Sequence, residues 1–153
     1  MTGSPPDLSG LLGAAQLGEA LAEVVRLAAP IEIVPGWATV ELARAADAAP
    51  GLEPTTADAL LGAFAAIVHV GAAAPRQVVL LEPSTEGPLA AALARHGEGW
   101  VAGYLRGALT GADRRLRAAG YSLSSVGRGP FGPERRVLVG RADGPFVLLV
   151  SEP

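Results

Sequence analysis

Cysteine, lysine and asparagine are all missing from this 153-residue chain. Without cysteine there is no thiolate nucleophile, no disulfide, and no Cys-ligated zinc or iron–sulfur cluster. Without lysine there is no Schiff base and no phosphate-loop lysine. His69 and His96 are the only histidines, too few for a three-histidine metal site, and a Ser-His-Asp triad would have to use one of them. Aromatic residues make up 5% of the chain, the formal charge is −3, and all twelve basic residues are scattered arginines. That leaves neither a basic stripe nor a stacking platform, so no nucleic-acid partner is expected. No apolar run reaches bilayer-spanning length and the start, MTGSPPDLSG, lacks a basic signal-peptide region. The expectation is no membrane partner and a cytoplasmic location.

Half of the residues are apolar, ample for one core, held by a single domain or by two small modules that share it. The Ala, Gly and Pro richness, with arginine as the sole basic residue, points to a GC-rich bacterial genome. Asp7 or Ser9 is placed to cap a helix that runs to about Ala28 and is ended by Pro30. Ile31 to Val34 reads as extended and Pro35-Gly36 as a turn. Residues 37–42 (WATVEL) read as the first main strand, followed by a short Ala-rich helix closed by Pro50-Gly51. Residues 52–62 carry too much Pro, Thr and Asp for a clear element. Residues 64–70 and 77–82 then form a β pair across a 71–76 loop.

Ser84 or Thr85 reads as the cap of a helix that ends near His96, with Glu86 in its first turn and Gly97 as its stop. From Trp100 the order repeats: strand, helix from about Thr110, strand YSLSSV, loop GRGPFGPE, strand RRVLVG, turn RADG and strand PFVLLV. A βαβ-type pattern duplicated at a spacing of roughly 60 residues is the strongest organisational signal.

Two segments carry a family likeness: LLEPSTEGPLAAALARHGEG, with its Gly97-Glu98-Gly99, and the tail LRAAGYSL through FVLLVSEP. They resemble the inter-module linker and the second module of the vicinal-oxygen-chelate superfamily, which includes glyoxalase I, methylmalonyl-CoA epimerase and bleomycin-resistance proteins; the linker is closest to the epimerase-like branch. The resemblance implies an α+β fold of two βαβββ modules forming a curved, cup-like mixed sheet, here with an extra N-terminal helix. The corresponding divisions are 1–30 (tail and helix), 31–83 (first module), 84–99 (linker helix) and 100–153 (second module).

Metal-dependent members of that family carry four ligands on the concave face. By motif these positions fall at Trp37, Val79, Ala102 or Val101, and Leu148, none of which ligates a divalent cation. The expectation is therefore no metal and no other cofactor, and loss of the Lewis-acid chemistry of the family. What survives is an apolar cup, of the kind that holds small molecules.

Within it, Trp37, Thr39, Val79, Leu81, Trp100, Ala102, Phe146 and Leu148 are the expected ligand-binding residues. Glu41 is the candidate general base, Tyr104 the candidate hydrogen-bond donor to an oxyanion, and Arg106 the candidate carboxylate or enolate holder. Structural roles compete at each: Glu41 and Arg106 as solvated or mutually paired strand-end charges, Tyr104 and Trp37 as core packing. His69 fits a surface or hydrogen-bonded role, His96 a helix C-terminus, and Arg114, Arg115 and Arg117 a solvated helix face.

The leading expectation is a metal-independent protein that binds a mainly apolar, carbonyl-bearing small molecule and isomerises, cyclises or eliminates from it by proton transfer. The alternative is a binding protein that sequesters an antibiotic or metabolite without catalysis, as bleomycin-resistance proteins do. A third reading is a regulatory or structural module whose cup is filled. The two modules close either within one chain or across a homodimer.

Overall fold

The computed structural model describes residues 18–47, 55–70, 76–138 and 145–151. The expected tail, the caps at Asp7 and Ser9, the Pro50-Gly51 stop, the residues of the 71–75 loop and the 141–144 turn lie outside the described residues. The elements are α1 (Gly18–Ala28), β1 (Glu32–Ala38), α2 (Leu42–Asp47), β2 (Thr56–Asp58), β3 (Ala63–Val70), β4 (Arg76–Pro83), α3 (Pro88–His96), β5 (Gly99–Arg106), α4 (Ala112–Ala118), β6 (Ser122–Leu123), β7 (Gly127–Gly129), β8 (Gly132–Leu138) and β9 (Phe146–Val150). They make an α+β fold with a single mixed sheet in the order β2-β3-β4-β1-β5-β9-β8-β6, and β7 also pairs with β8.

The two halves repeat one set of connections. In the first, β1 runs parallel to β4 and β3 antiparallel to it. In the second, β5 runs parallel to β9 and β8 antiparallel to it. Antiparallel pairing of β1 with β5 joins the halves at the sheet centre.

The sheet is curled, and one hydrogen bond shows by how much. Four strand spacings separate β2 from β5, about 19 Å on a flat sheet at ~4.8 Å per strand. Yet the Tyr104 hydroxyl on β5 reaches Asp58 at the end of β2, at 2.7 Å. The far end also comes round: Ala59, just past β2, donates its N–H to the carbonyl of Arg128 in β7 at 2.9 Å. The inner face is thus enclosed between the two ends of its own sheet.

Alternation sorts the side chains between the faces. Val34, Ala65, Ile67, Val79, Leu81, Ala102, Tyr104, Phe146 and Leu148 pack in the inner cluster, joined by Leu61 and by Leu89 and Ala92 of α3. On the outer face, Val24 and Ala28 of α1 pack with Leu105, Leu116, Val137 and Val147. The N-terminal helix therefore covers a sheet face rather than an edge. Leu42 and Ala45 of α2 cover Ala66, Val68, Val78 and Leu80 beside it.

Arg115 of α4 locks the first of these helices. Its Nε and Nη2 donate to the carbonyls of Leu27 and Ala28 at 2.7 and 3.1 Å, satisfying acceptors that a helix end leaves open. Arg115 is thus not merely part of a solvated face, while Arg114 and Arg117 are exposed on the same helix.

Several local expectations are corrected. The first strand is not 37–42 but Glu32–Ala38, and it passes straight through Pro35-Gly36. Gly36 is there for packing, not turning: a Cβ would lie 2.9 Å from the Ala102 Cβ and 3.2 Å from Leu81 Cδ1. The β1–β5 register also shifts between Gly36 and Trp37, so the expected alternation of Trp37, Thr39 and Glu41 on one strand face does not form.

The linker helix starts at Pro88 after Gly87, with no side-chain cap and no acidic residue in its first turn; Ser84, Thr85 and Glu86 precede it. Proline at the first helical position sets that start, since its missing N–H would be unpaired in any case. Gly97 does stop the helix, at φ 77° with its N–H on the Leu93 carbonyl. The 52–62 stretch contains β2, and the GRGPFGPE loop contains β7 and the start of β8.

Candidate functional site: a buried carboxyl pair on the inner face

At the middle of the inner face Tyr104 is fully buried, and beside it are two carboxyl groups with no exposed surface, Asp58 and Glu134. Asp58 comes from the end of β2, where the chain turns into Leu61. Its Oδ1 accepts the Leu61 N–H at 3.1 Å and its Oδ2 accepts the Tyr104 hydroxyl at 2.7 Å. Glu134 comes from β8, in register with Val150 of β9. Its carboxyl lies against the β7 backbone, in space that a Cβ on Gly129 would enter at 2.0 Å. Glycine at 129 is what admits the acid to the interior.

Neither Glu134 oxygen receives a hydrogen bond from a donor among the described residues. The pairing open to it is with Asp58, and two carboxyl groups bond only when one keeps its proton. Burial, then hydrogen bonding to Asp58 and the negative charge of that residue, push Glu134 up to about 10. At neutral pH the pair holds a proton on Glu134. Burial, and then the Asp58 and Glu134 charges, likewise push Tyr104 well above the usual phenol range, so its hydroxyl stays a donor. Arg136, two residues along β8 and nearly buried, sets its guanidinium 4.6 Å over the Phe146 ring.

Towards the rim, the Phe131 ring meets Tyr104 edge-on with centroids 5.6 Å apart. The guanidinium of Arg106 lies 4.2 Å above the same ring. Arg106 Nη1 also donates to Glu32 at 3.2 Å and to Gln77 at 3.1 Å. From solvent inward the order is Arg106, Phe131, Tyr104 and the carboxyl pair.

The expected site residues divide accordingly. Tyr104, Val79, Leu81, Ala102, Phe146 and Leu148 share the inner face, and Arg106 stands at its rim. Trp37 and Trp100 stack edge to face at 5.0 Å and pack with Leu42 on the outer face. Thr39 is buried, but its hydroxyl serves Glu98, at 2.8 Å. Glu41 is exposed, and its carbonyl accepts the Ala45 N–H at the start of α2. The structure thus separates Glu41 from Tyr104 and Arg106.

Glu98, the acid of the Gly-Glu-Gly motif, gains a structural account. Its Oε2 accepts from Thr39 Oγ1, the Val40 N–H at 2.9 Å and Arg44 at 2.9 Å. It ties the start of β5 to the turn between β1 and α2.

Asp58 and Glu134 were not legible as site residues, because both fall in stretches that read as loops. The alternation of the last strands held one signal. Extended back from Arg136 by two positions, it places Glu134 on the same face, a charge aimed inward among apolar neighbours.

No protein-family model matches the sequence, and no curated protein is similar to it. A solved structure, a hypothetical protein BH1468 from Bacillus halodurans C-125, superimposes with a TM-score of 0.56 at 17% identity, over 80% of this chain and 96% of that one. The likeness is one of fold: a curled mixed sheet forming a half-barrel. Among the described residues no helix is long and apolar enough to cross a membrane.

Proposed function

We propose that this chain is a vicinal-oxygen-chelate-type protein that binds a mainly apolar, carbonyl-bearing small molecule on its inner face and moves a proton on or off it. The two-fold repetition of strand connections supports the family reading. One observation carries the chemistry: two carboxyl groups, Asp58 and Glu134, and the Tyr104 phenol are buried together on a mainly apolar face. Burial raises Glu134 so that it keeps its proton at neutral pH, and a retained acid beside a second carboxyl group supplies the donor and the acceptor that proton-transfer catalysis requires.

In this reading Asp58 takes a proton from carbon adjacent to the carbonyl, and Glu134 delivers one to the developing oxyanion or to the neighbouring carbon. Tyr104 orients Asp58, and its phenol donates to whichever oxygen carries the charge. The acid–base role assigned above to Glu41 thus passes to the carboxyl pair. Isomerisation, cyclisation and elimination all begin with such a transfer.

Native mass spectrometry on protein purified without chelator tests binding; the expected result is a small organic adduct. Incubation of 4-phenylbutan-2-one in deuterated water then tests chemistry. Wild type is expected to speed deuterium entry next to the carbonyl, while Glu134→Gln and Asp58→Asn fall to the uncatalysed rate. Binding with no exchange in any variant would instead identify a sequestering protein.

A further inference from the structure

The ring of Phe131 is held as a bound molecule would be. It sits at the tip of a hairpin in which Gly129 pairs with Gly132, so Pro130 and Phe131 alone make the turn. Gly132 carries φ 111°, a conformation that favours glycine and ends the turn. Phe131 is only partly buried, yet it packs on the inner cluster. A cation lies over the ring, and a second aromatic packs against it at a steep interplanar angle of 70°. Such a bracket recognises a planar π system and gives nothing extra to an aliphatic one.

Arg106 adds a second requirement. Its bonds to Glu32 and Gln77 both use Nη1. Among the described residues the Nε and Nη2 edge makes no hydrogen bond, and this is the edge that takes a carboxylate in a two-pronged fork. The Arg106 side chain is 34% exposed, so an anion reaches it from solvent without crossing the apolar face.

We infer that Phe131 is a built-in plug in an aromatic subsite, and that the ligand is an aromatic carboxylate whose ring displaces Phe131 while its carboxylate takes the open edge of Arg106. This rests on the inner face being a ligand site and adds the chemical class of the ligand. A ring in the Phe131 position lies directly against Tyr104, one residue short of the carboxyl pair. The plug holds the site closed, so apparent affinity in the wild type is lowered by the fraction of molecules in the closed state.

The test uses three probes that differ in one feature each: 3-phenylpropanoate, 3-cyclohexylpropanoate and 3-phenylpropanamide. Binding is followed by calorimetry and by the Arg106 Nε–H resonance. Phe131→Ala is expected to bind 3-phenylpropanoate at least about tenfold more tightly than wild type. The cyclohexyl acid and the amide should each bind at least about tenfold more weakly than the aromatic acid. Arg106→Gln in the Phe131→Ala background should erase the preference for acid over amide.

Should Phe131→Ala fold poorly, Phe131→Leu vacates the ring position with less loss of packing and carries the same expectation. Equal binding of the phenyl and cyclohexyl acids would overturn the aromatic subsite while leaving the apolar site intact, and so would no gain on removing the plug. An Arg106 resonance that does not move on binding overturns the carboxylate assignment. Failure of all three probes to bind any variant overturns the inference, and deuterium exchange by wild type then decides separately whether the inner face is a site at all.

Discussion

The Tyr104 hydroxyl donates to Asp58 across four strand spacings, at 2.7 Å, so one hydrogen bond reports both the curl of the sheet and the state of the site. It pulls β2 over the inner face and, with the Leu61 N–H and the pairing to Glu134, holds the Asp58 carboxyl in place. Tyr104→Phe keeps the ring against Phe131 and removes only that donor. Leaving a buried carboxylate short of a partner costs ~1–3 kcal/mol, read as a lower urea midpoint. Loss of the hydroxyl without loss of stability would mean that Asp58 is held by the Leu61 N–H and its pairing with Glu134 alone.

Glu134 makes stability depend on pH in a definite direction. Its ordinary value is 4.5, and in the fold it is pushed to about 10. Below the ordinary value both states are protonated and the contribution is intact. As pH rises from there towards 10, the unfolded chain releases a proton that the folded chain retains, and stability falls by up to ~tenfold in the unfolding constant per pH unit. Glu134→Gln keeps a donor facing Asp58 and cannot ionise. Urea midpoints between pH 5 and 9 should slope downward for wild type and be flatter for the variant. Parallel slopes would show that Glu134 does not carry the proton.

Glu98 predicts the opposite sign. The Val40 N–H, Thr39 and Arg44 hold its carboxyl below the usual range, so its contribution is present above about pH 4.5 and lost as pH falls through the lowered value. The group is largely exposed, and its effect is correspondingly small. Glu98→Gln is expected to narrow the stability difference between pH 6 and pH 3, measured by thermal melts in low salt. An unchanged difference would leave the motif acid without this anchoring role.

Much of the fold was legible because long strands and the linker helix announce themselves through periodicity and glycine stops. The β3–β4 pair, the helix ending at Gly97 and the repeat from Trp100 rest on such local signals. What failed was governed by contacts distant in sequence. Pro35-Gly36 has the chemistry of a turn, but Gly36 answers to Ala102 and Leu81 across two neighbouring strands, and that displaced the first strand by several residues. The same displacement moved Trp37, Thr39 and Glu41 off the inner face. Asp58 sits in a three-residue strand and Glu134 behind a Gly/Pro loop, where side-chain alternation is too short to read; only the curl of the finished sheet brings them together.

Two glycines of β7 mark where the ends of the sheet close on each other, and this yields a coupled prediction. A Cβ at Gly127 would stand 2.5 Å from Leu60 Cγ, whereas one at Gly129 would stand 2.0 Å from Glu134 Oε1. Both alanine substitutions overpack a seam and should cost ~1–3 kcal/mol, but through different partners. Leu60→Ala should relieve Gly127→Ala and leave the cost of Gly129→Ala unchanged, a coupling that a double-mutant cycle measures directly. Gly129→Ala should instead disturb the carboxyl pair, flattening the pH slope of stability as Glu134→Gln does. If Leu60→Ala relieves both glycines equally, the seam yields as one unit, and the separate seating of Glu134 against Gly129 is wrong.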